Sequence, residues 1–287
     1  MHFTKMHGIG NDYVYVDCYK EKITDPARVA KIISDRHFGI GSDGLILIKP
    51  TTAADIEMEM YNADGSLGKM CGNGIRCVAK YAYDHGLIKK EKITVKTAAG
   101  IKDLEIQASA GIAELIRVNM GKAIFQADLI PVDITKIAAN HKTDKTEICL
   151  NMSLSVANKE WLINCISMGN PHCVIFTEQV KNFPLEKYGP YFENHPIFPE
   201  RVNTEFVNLI GRHELEMRVW ERGTGETLAC GTGACAAAVI AIMNKLAESP
   251  IKIHLPGGDL TIEWEGKESD VFMTGTATEV FQGDIEI

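Results

Sequence analysis

Apolar and polar side chains follow two rhythms along this chain. Strict alternation runs through "IEMEMY", Ile56 to Tyr61, and segments rich in β-branched and aromatic residues read as further strands at Tyr13 to Asp17, Leu45 to Ile48, Ile93 to Thr97 and Ile112 to Met120. A helix is predicted from Asp25 to Arg36, with Asp25 as its cap and Pro26 in its first turn. Another follows Cys71, where Ile75, Val78, Ala79 and Ala82 share one face and Gly86 supplies a stop. Thr232 to Leu246 is apolar almost all round and predicts a buried central helix. Many short strands with few helices describe an α+β fold, not an alternating βαβ chain.

The pattern occurs twice. The offset that carries Cys71 onto Cys230 also aligns "IEMEMYNADGSLGKM" with "LEMRVWERGTGETLA", so that Glu57, Met58 and Tyr61 meet Glu216, Met217 and Trp220. It carries Asn11 onto Asn170 as well, and each of these introduces a strand, "YVYVD" and "CVIF". An ungapped match over about sixty positions marks an internal repeat; two copies are too few for a solenoid and predict a pair of similar domains about a pseudo-twofold. "GIGSDG", Gly39 to Gly44, has the spacing of a dinucleotide fingerprint, but it follows a helix and opens a strand, the reverse of what that motif requires, so it reads as a turn.

Composition narrows the function. The net charge of -8, with no basic cluster, argues against nucleic acid as a partner. The first residues lack a signal-peptide core, and the longest apolar run, Ala234 to Met243, is too short to span a bilayer, so no membrane association and a cytoplasmic location are expected. The eight cysteines then read mostly as reduced thiols. No Cys-x-x-Cys pair occurs and the Cys71/Cys77 and Cys230/Cys235 spacings do not suit zinc, so no metal is expected.

Candidate chemistry lies in "MCGNGIRC" and "ACGTGACA", where each cysteine begins a helix beside Gly72 and Gly74 or Gly231 and Gly233. A helix mouth collects unsatisfied N–H groups and the positive dipole end, which bind carboxylate and lower a thiol pKa from about 8.5 towards 3.5–7.5. One such cysteine is usually a small buried hydrophobe. Two equivalent ones could grip one carboxylate and present a sulfur to each face of the neighbouring carbon, as inversion by proton removal and return requires. For Cys18, Cys77, Cys149, Cys165, Cys173 and Cys235 the core reading stands.

On these residues the chain closely resembles the diaminopimelate epimerase family over essentially its whole length. The motifs are "KMHGIGNDYV", "YNADGS", "MCGNGIRC", "MGNPHCV", "RVNTEFV" and "ERGTGETLACGTGACA". The resemblance implies two pseudo-symmetric domains, each a β-barrel-like mixed sheet around a central helix: residues 1–119 with 275–287 carrying Cys71, and 120–274 carrying Cys230. It implies isomerase chemistry in lysine biosynthesis, LL- to meso-diaminopimelate, with no cofactor and in particular no pyridoxal phosphate; a homodimer is left open. Cys71 and Cys230 become the acid/base thiols, His172 the partner of Cys71 from the opposite domain, and Glu221 the partner of Cys230. Backbone amides of Gly72, Asn73, Gly231 and Thr232 would hold the reacting carboxylate, and Asn11, Asn62, Asn170, Asn203 and Arg222 the ammonium groups and distal carboxylate.

Two positions depart from the family pattern. Gly44 stands where some members carry a substrate-contacting Gln, implying a contact that is missing or replaced by water, and the loop Ser66 to Met70 lacks the acidic residues common there. A proline or hydroxyproline racemase-type enzyme is the rival within the same chemistry, set apart by Asn73 where such enzymes have His. A non-catalytic small-anion-binding protein on the same fold is the rival of another class.

Overall fold

The computed structural model describes residues 1–137 and 148–287. The described chain divides into two compact units, Met1–Asn119 with Thr274–Ile287, and Met120–Met273.

The first unit contains β1 (His2–Gly8), β2 (Asn11–Asp17), α1 (Pro26–Ser34), β3 (Gly44–Lys49), β4 (Ile56–Asn62), β5 (Leu67–Gly68), α2 (Gly72–Asp84), β6 (Lys92–Thr97), β7 (Gly100–Ser109) and β8 (Ile112–Gly121). Its sheet is mixed: β1/β2, β3/β4, β6/β7 and β7/β8 are antiparallel, while β2/β3 and β4/β6 are parallel. Strands β2 and β3 are buried on both faces, which is why "LILI" reads as a continuous apolar run and not as an alternation. Val14, Val16, Leu45 and Leu47 pack with Val29, Ala30 and Ile33 of α1. The alternate residues face α2: the Tyr15 hydroxyl reaches the Gly74 carbonyl at 3.4 Å.

The second unit contains β9 (Met152–Val156), β10 (Lys159–Ser167), β11 (Pro171–Phe176), α3 (Leu185–Glu193), β12 (Asn203–Gly211), β13 (Glu214–Glu221), β14 (Gly225–Thr227), α4 (Gly231–Met243), β15 (Ile251–Leu255), β16 (Gly258–Glu263) and β17 (Val271–Gly275). The last strand, β18 (Thr278–Asp284), pairs antiparallel with β1 of the first unit. On one face of the second sheet α3 packs over an aromatic cluster of Trp161, Phe183, Tyr188, Phe192 and Phe206. On the other lies α4, touching β10 to β13, β15 and β16. Its all-round apolar surface follows from that enclosure, with every residue from Gly233 to Ala241 buried.

The internal repeat is carried into the backbone. The offset that takes Cys71 to Cys230 superimposes the limits of α1 on those of α3, and the limits of α2 on those of α4. Strand register obeys the same offset: Val14 opposes Leu45 as Cys173 opposes Thr204, and Met60 opposes Gly68 as Val219 opposes Thr227. The predicted strands differ from those observed by one or two residues at their ends. The first helix stops at Ser34, short of the predicted Arg36, and the fourth at Met243, short of Leu246. Gly86 follows the end of α2 with φ +72, as its role of stop requires.

Gly44 lies where the backbone is closely packed. A Cβ there would lie 2.1 Å from the Tyr61 carbonyl oxygen and 2.8 Å from the Tyr13 ring. This backbone has no room for a side chain at position 44.

Candidate active site

Each candidate thiol is the N-cap of a buried helix in nearly the same conformation: Cys71 with φ -131 and ψ 118, Cys230 with φ -124 and ψ 108. The sulfur takes the place of a capping oxygen, accepting the N–H of the third helical residue, Gly74 at 3.3 Å and Gly233 at 3.4 Å. Both glycines are closely approached by a neighbouring side chain. A Cβ on Gly74 would lie 2.7 Å from Ile46 Cδ1, and one on Gly233 would lie 2.7 Å from Glu205 Oε1. The first turn of each helix places the amides of Gly72 and Asn73, and of Gly231 and Thr232, at an N-terminus, where the positive end of the helix dipole favours an anion.

In the first unit the Cys71 thiol donates to Asn11 Oδ1 at 3.2 Å. Asn11 is held by a charge network that the sequence reading missed: its amide donates to Asp43 at 2.7 Å, Arg36 bridges Asp12 and Asp43 at 2.9 and 3.0 Å, and buried Lys5 contacts Asp12. The ion pairs hold the Asp12 carboxyl below its usual range against burial, while burial and the Asp12 charge push Asp43 up. Asn73 is buried and its side chain accepts from Arg76 at 2.9 Å, so its side chain serves the helix mouth and only its backbone is placed for a ligand. Asn62 ends β4 and donates to Ser66 at 2.9 Å, within its own turn.

In the second unit a chain of contacts leads to the other thiol. Buried His172 meets Glu205 through Nδ1 at 2.7 Å and Asn170 Oδ1 through Nε2 at 3.1 Å. Asn170 makes a long contact with Thr232 Oγ1 at 3.4 Å, and that hydroxyl lies 3.5 Å from Cys230 Sγ. Asn203 ties β11 to the turn after β13, donating to the Pro171 carbonyl at 2.8 Å and accepting the Arg222 N–H at 3.0 Å. The Arg222 guanidinium donates to the Glu200 carbonyl at 2.9 Å, at the surface. Glu221 accepts from the Thr227 hydroxyl and interacts with both Cys230 and His172.

The electrostatics of the second thiol follow from burial and from its carboxylate neighbours. Burial, with the charges of Glu221 and Glu205 added to it, drives the Cys230 thiol well above the ordinary thiol range, although the helix mouth was expected to lower it. These causes favour the protonated form of the Cys230 thiol. Glu221 is itself raised, chiefly by burial, with Thr227, His172 and Cys230 pulling it back.

That shift has a consequence for stability. A carboxyl raised on folding binds its proton more tightly in the native state than in the unfolded one, so its contribution is lost as pH rises through the unfolded value of about 4.5 and stays lost above the folded one. Glu221→Gln removes the penalty. Its Tm relative to the unsubstituted protein is expected to rise between pH 4 and pH 7.5 in calorimetry, while catalysis suffers; a Tm difference that shrinks over that range would contradict the assignment.

Among the described residues no group of three or more His, Cys, Asp or Glu is arranged to hold a metal ion, and no helix is long and apolar enough to cross a membrane. A family model described as diaminopimelate epimerase matches residues 3–126 and 164–280. The chain belongs to the diaminopimelate epimerase family. Among its relatives, the diaminopimelate epimerase of Agathobacter rectalis is 54% identical over 287 residues, covering 100% of both chains. That of Acetivibrio thermocellus is 51% identical, covering 100% of this chain and 99% of its own.

Solved structures share the fold at lower identity. A phenazine biosynthesis protein of the PhzF family from Bacillus anthracis superposes with a TM-score of 0.70 at 14% identity, covering 100% of this chain and 99% of its own. A probable proline racemase from Agrobacterium radiobacter, with bound carbonate, gives 0.72 at 14% identity, covering 100% and 93%. These likenesses establish the α+β architecture expected for diaminopimelate epimerases; the racemase likeness extends to the fold alone.

Proposed function

We propose that the protein interconverts LL- and meso-2,6-diaminopimelate by two-base proton transfer, with Cys71 and Cys230 as the two acid/base groups and without pyridoxal phosphate. The observation that carries this reading is the repeated helix mouth, with two cysteine N-caps in matching backbone conformation in units of matching register. One thiolate removes the α-proton, the carbanion spreads its charge into the carboxylate, and the opposite thiol returns a proton to the other face. The N–H groups of Gly72, Asn73, Gly231 and Thr232 meet that growing charge with fixed donors. The raised thiol of Cys230, beside Glu221, suits the protonated partner, and His172 suits acceptance of the Cys71 proton.

Asn11, Asn62, Asn170, Asn203 and Arg222 supply the polar contacts that the two amino-acid ends of the substrate need, with Arg222 able to take the distal carboxylate. The partner is this small diamino diacid, and the workplace proposed is the cytoplasm, where lysine and its precursors are made. The relatives at 51–54% identity support diaminopimelate over a cyclic imino acid.

The test is direct. Purified protein in D2O, with no pyridoxal phosphate added, is expected to place deuterium at the α-carbon of LL- or meso-diaminopimelate and bring the two to equilibrium, leaving proline inert. Absence of isotope exchange would overturn the reading.

A further inference from the structure

The reaction as proposed leaves one buried group unexplained. Glu205 is the third residue of β12, with its side chain wholly removed from solvent, beside an equally buried His172. One carboxylate oxygen meets His172 Nδ1 at 2.7 Å, while the other, Oε2, has no hydrogen-bond partner among the described residues. A buried carboxylate is costly, and an unsatisfied oxygen makes it more so. Packing does not require it. At the equivalent place in the repeat the first unit has Ile46, with Tyr13 in place of the histidine. Ile46 opposes Met60 as Glu205 opposes Val219, and each side chain bears on the glycine of its helix mouth at the same 2.7 Å from a notional Cβ. The fold thus builds this position from Ile46 and Tyr13 in one half and from a carboxylate and an imidazole in the other.

We propose that Glu205 is a positioning residue for His172, keeping the Nδ1 proton directed at itself so that Nε2 is the nitrogen that exchanges protons in the reaction. The inference rests on the epimerase reading above and assigns a role within that site. A separation of 2.7 Å is that of a charge-assisted hydrogen bond. With Nδ1–H committed, Nε2 faces Asn170, whose amide serves both of its states. When Nε2 is bare, the amide nitrogen donates to it and the amide oxygen accepts from the Thr232 hydroxyl. When Nε2 is protonated, Oδ1 accepts from it and the nitrogen donates to Thr232 Oγ1, the arrangement observed at 3.1 and 3.4 Å.

In the step itself a proton leaves the acid of the proposed site and an N–H bond forms at Nε2; the imidazolium that results is balanced by the Glu205 carboxylate at 2.7 Å from Nδ1. The logic is that of an acid holding a catalytic imidazole in one tautomer, where replacing the acid by its amide costs about 10⁴-fold in kcat in the best-characterised triad.

Glu205→Gln keeps the shape and removes the charge. It is expected to lower kcat for diaminopimelate by at least about 10²-fold while KM changes by less than about threefold, with partial recovery in Glu205→Asp. The second measurement reads the unsubstituted protein: ¹⁵N-histidine NMR, with His172 assigned by its loss in His172→Gln. The neutral imidazole is expected to carry its proton on Nδ1, facing Glu205, with Nε2 bare. An Nε2–H tautomer with bare Nδ1, or a Glu205→Gln enzyme with unchanged kcat, would overturn the proposal. A protein with Nδ1 protonated but no diaminopimelate exchange would sink the epimerase reading and leave the Glu205 assignment standing.

Discussion

Replacing Cys230 by serine is expected to leave a protein that exchanges the α-proton of one diaminopimelate stereoisomer with solvent but no longer inverts that carbon. Cys71→Ser is expected to do the same with the other stereoisomer. Serine is the informative substitution because it is a favoured N-cap: the contacts to Gly74 or Gly233 survive, and the helix keeps its start. A hydroxyl, however, neither ionises near neutral pH nor surrenders its proton as a thiol does. The remaining thiol can still take the proton from its own face and, after trading it with water, return deuterium to that face. Inversion needs a donor on the opposite side, so it should fall by about 10²- to 10⁴-fold, the usual worth of a positioned acid or base. Mass spectrometry of the α-carbon and chiral chromatography of the same samples separate exchange from inversion. If both single variants invert at the unsubstituted rate, the two-base account fails.

Much of this site was legible because it is written twice. The offset between the two cysteines also fixes the limits of α2 and α4 relative to each other. It could also have revealed α3, which sequence pattern alone did not. That helix has no side-chain cap and contains Pro190, yet it stands at the same offset from α1, whose Asp25 cap is plain to read. Its seat depends on Gly189 lying against the Trp220 ring, a contact between elements that periodicity does not express.

What stayed hidden was the support behind the named residues. Glu205 sits among apolar neighbours in "NTEFV", and only the pairing of β11 with β12 brings it beside His172. A charge within the buried stretch of a strand was the signal available. The network of Lys5, Asp12, Arg36 and Asp43 joins residues from β1, β2 and the turn before β3, so no local window contains it. For Cys230 the helix mouth and the Glu221 partner were readable in one motif, but burial and the Glu205 charge, which add to the effect of Glu221, come from the packing of β12.

Arg76 is the other residue of "MCGNGIRC" that the sequence reading passed over, and its replacement is expected to be the most destabilising single change near the site. Its side chain is fully buried. Nε donates to the Thr276 carbonyl at 3.1 Å, Nη1 to the Gly72 carbonyl at 3.1 Å and Nη2 to Asn73 Oδ1 at 2.9 Å. One planar fork thereby joins the first turn of α2 to the segment leading into β18, and it holds the two residues whose amides face the proposed carboxylate. Gly8 of β1 passes so close that a Cβ there would lie 3.0 Å from Nη2. The second unit has Cys235 at the equivalent position, so the repeat carries no second copy of this arginine. Arg76→Leu fills some of the volume but removes three charge-assisted donors from a buried place, which should cost about 3–5 kcal/mol. Arg76→Lys keeps the charge but not the fork, and should cost about half as much, because one ammonium cannot span the three acceptors. Urea unfolding measures both. At temperatures where the variants remain folded, loss of the clamp lets the Gly72 and Asn73 amides shift, so weaker substrate binding should appear as a raised KM. A stable Arg76→Leu protein with unchanged KM would show that α2 holds its mouth open without the arginine.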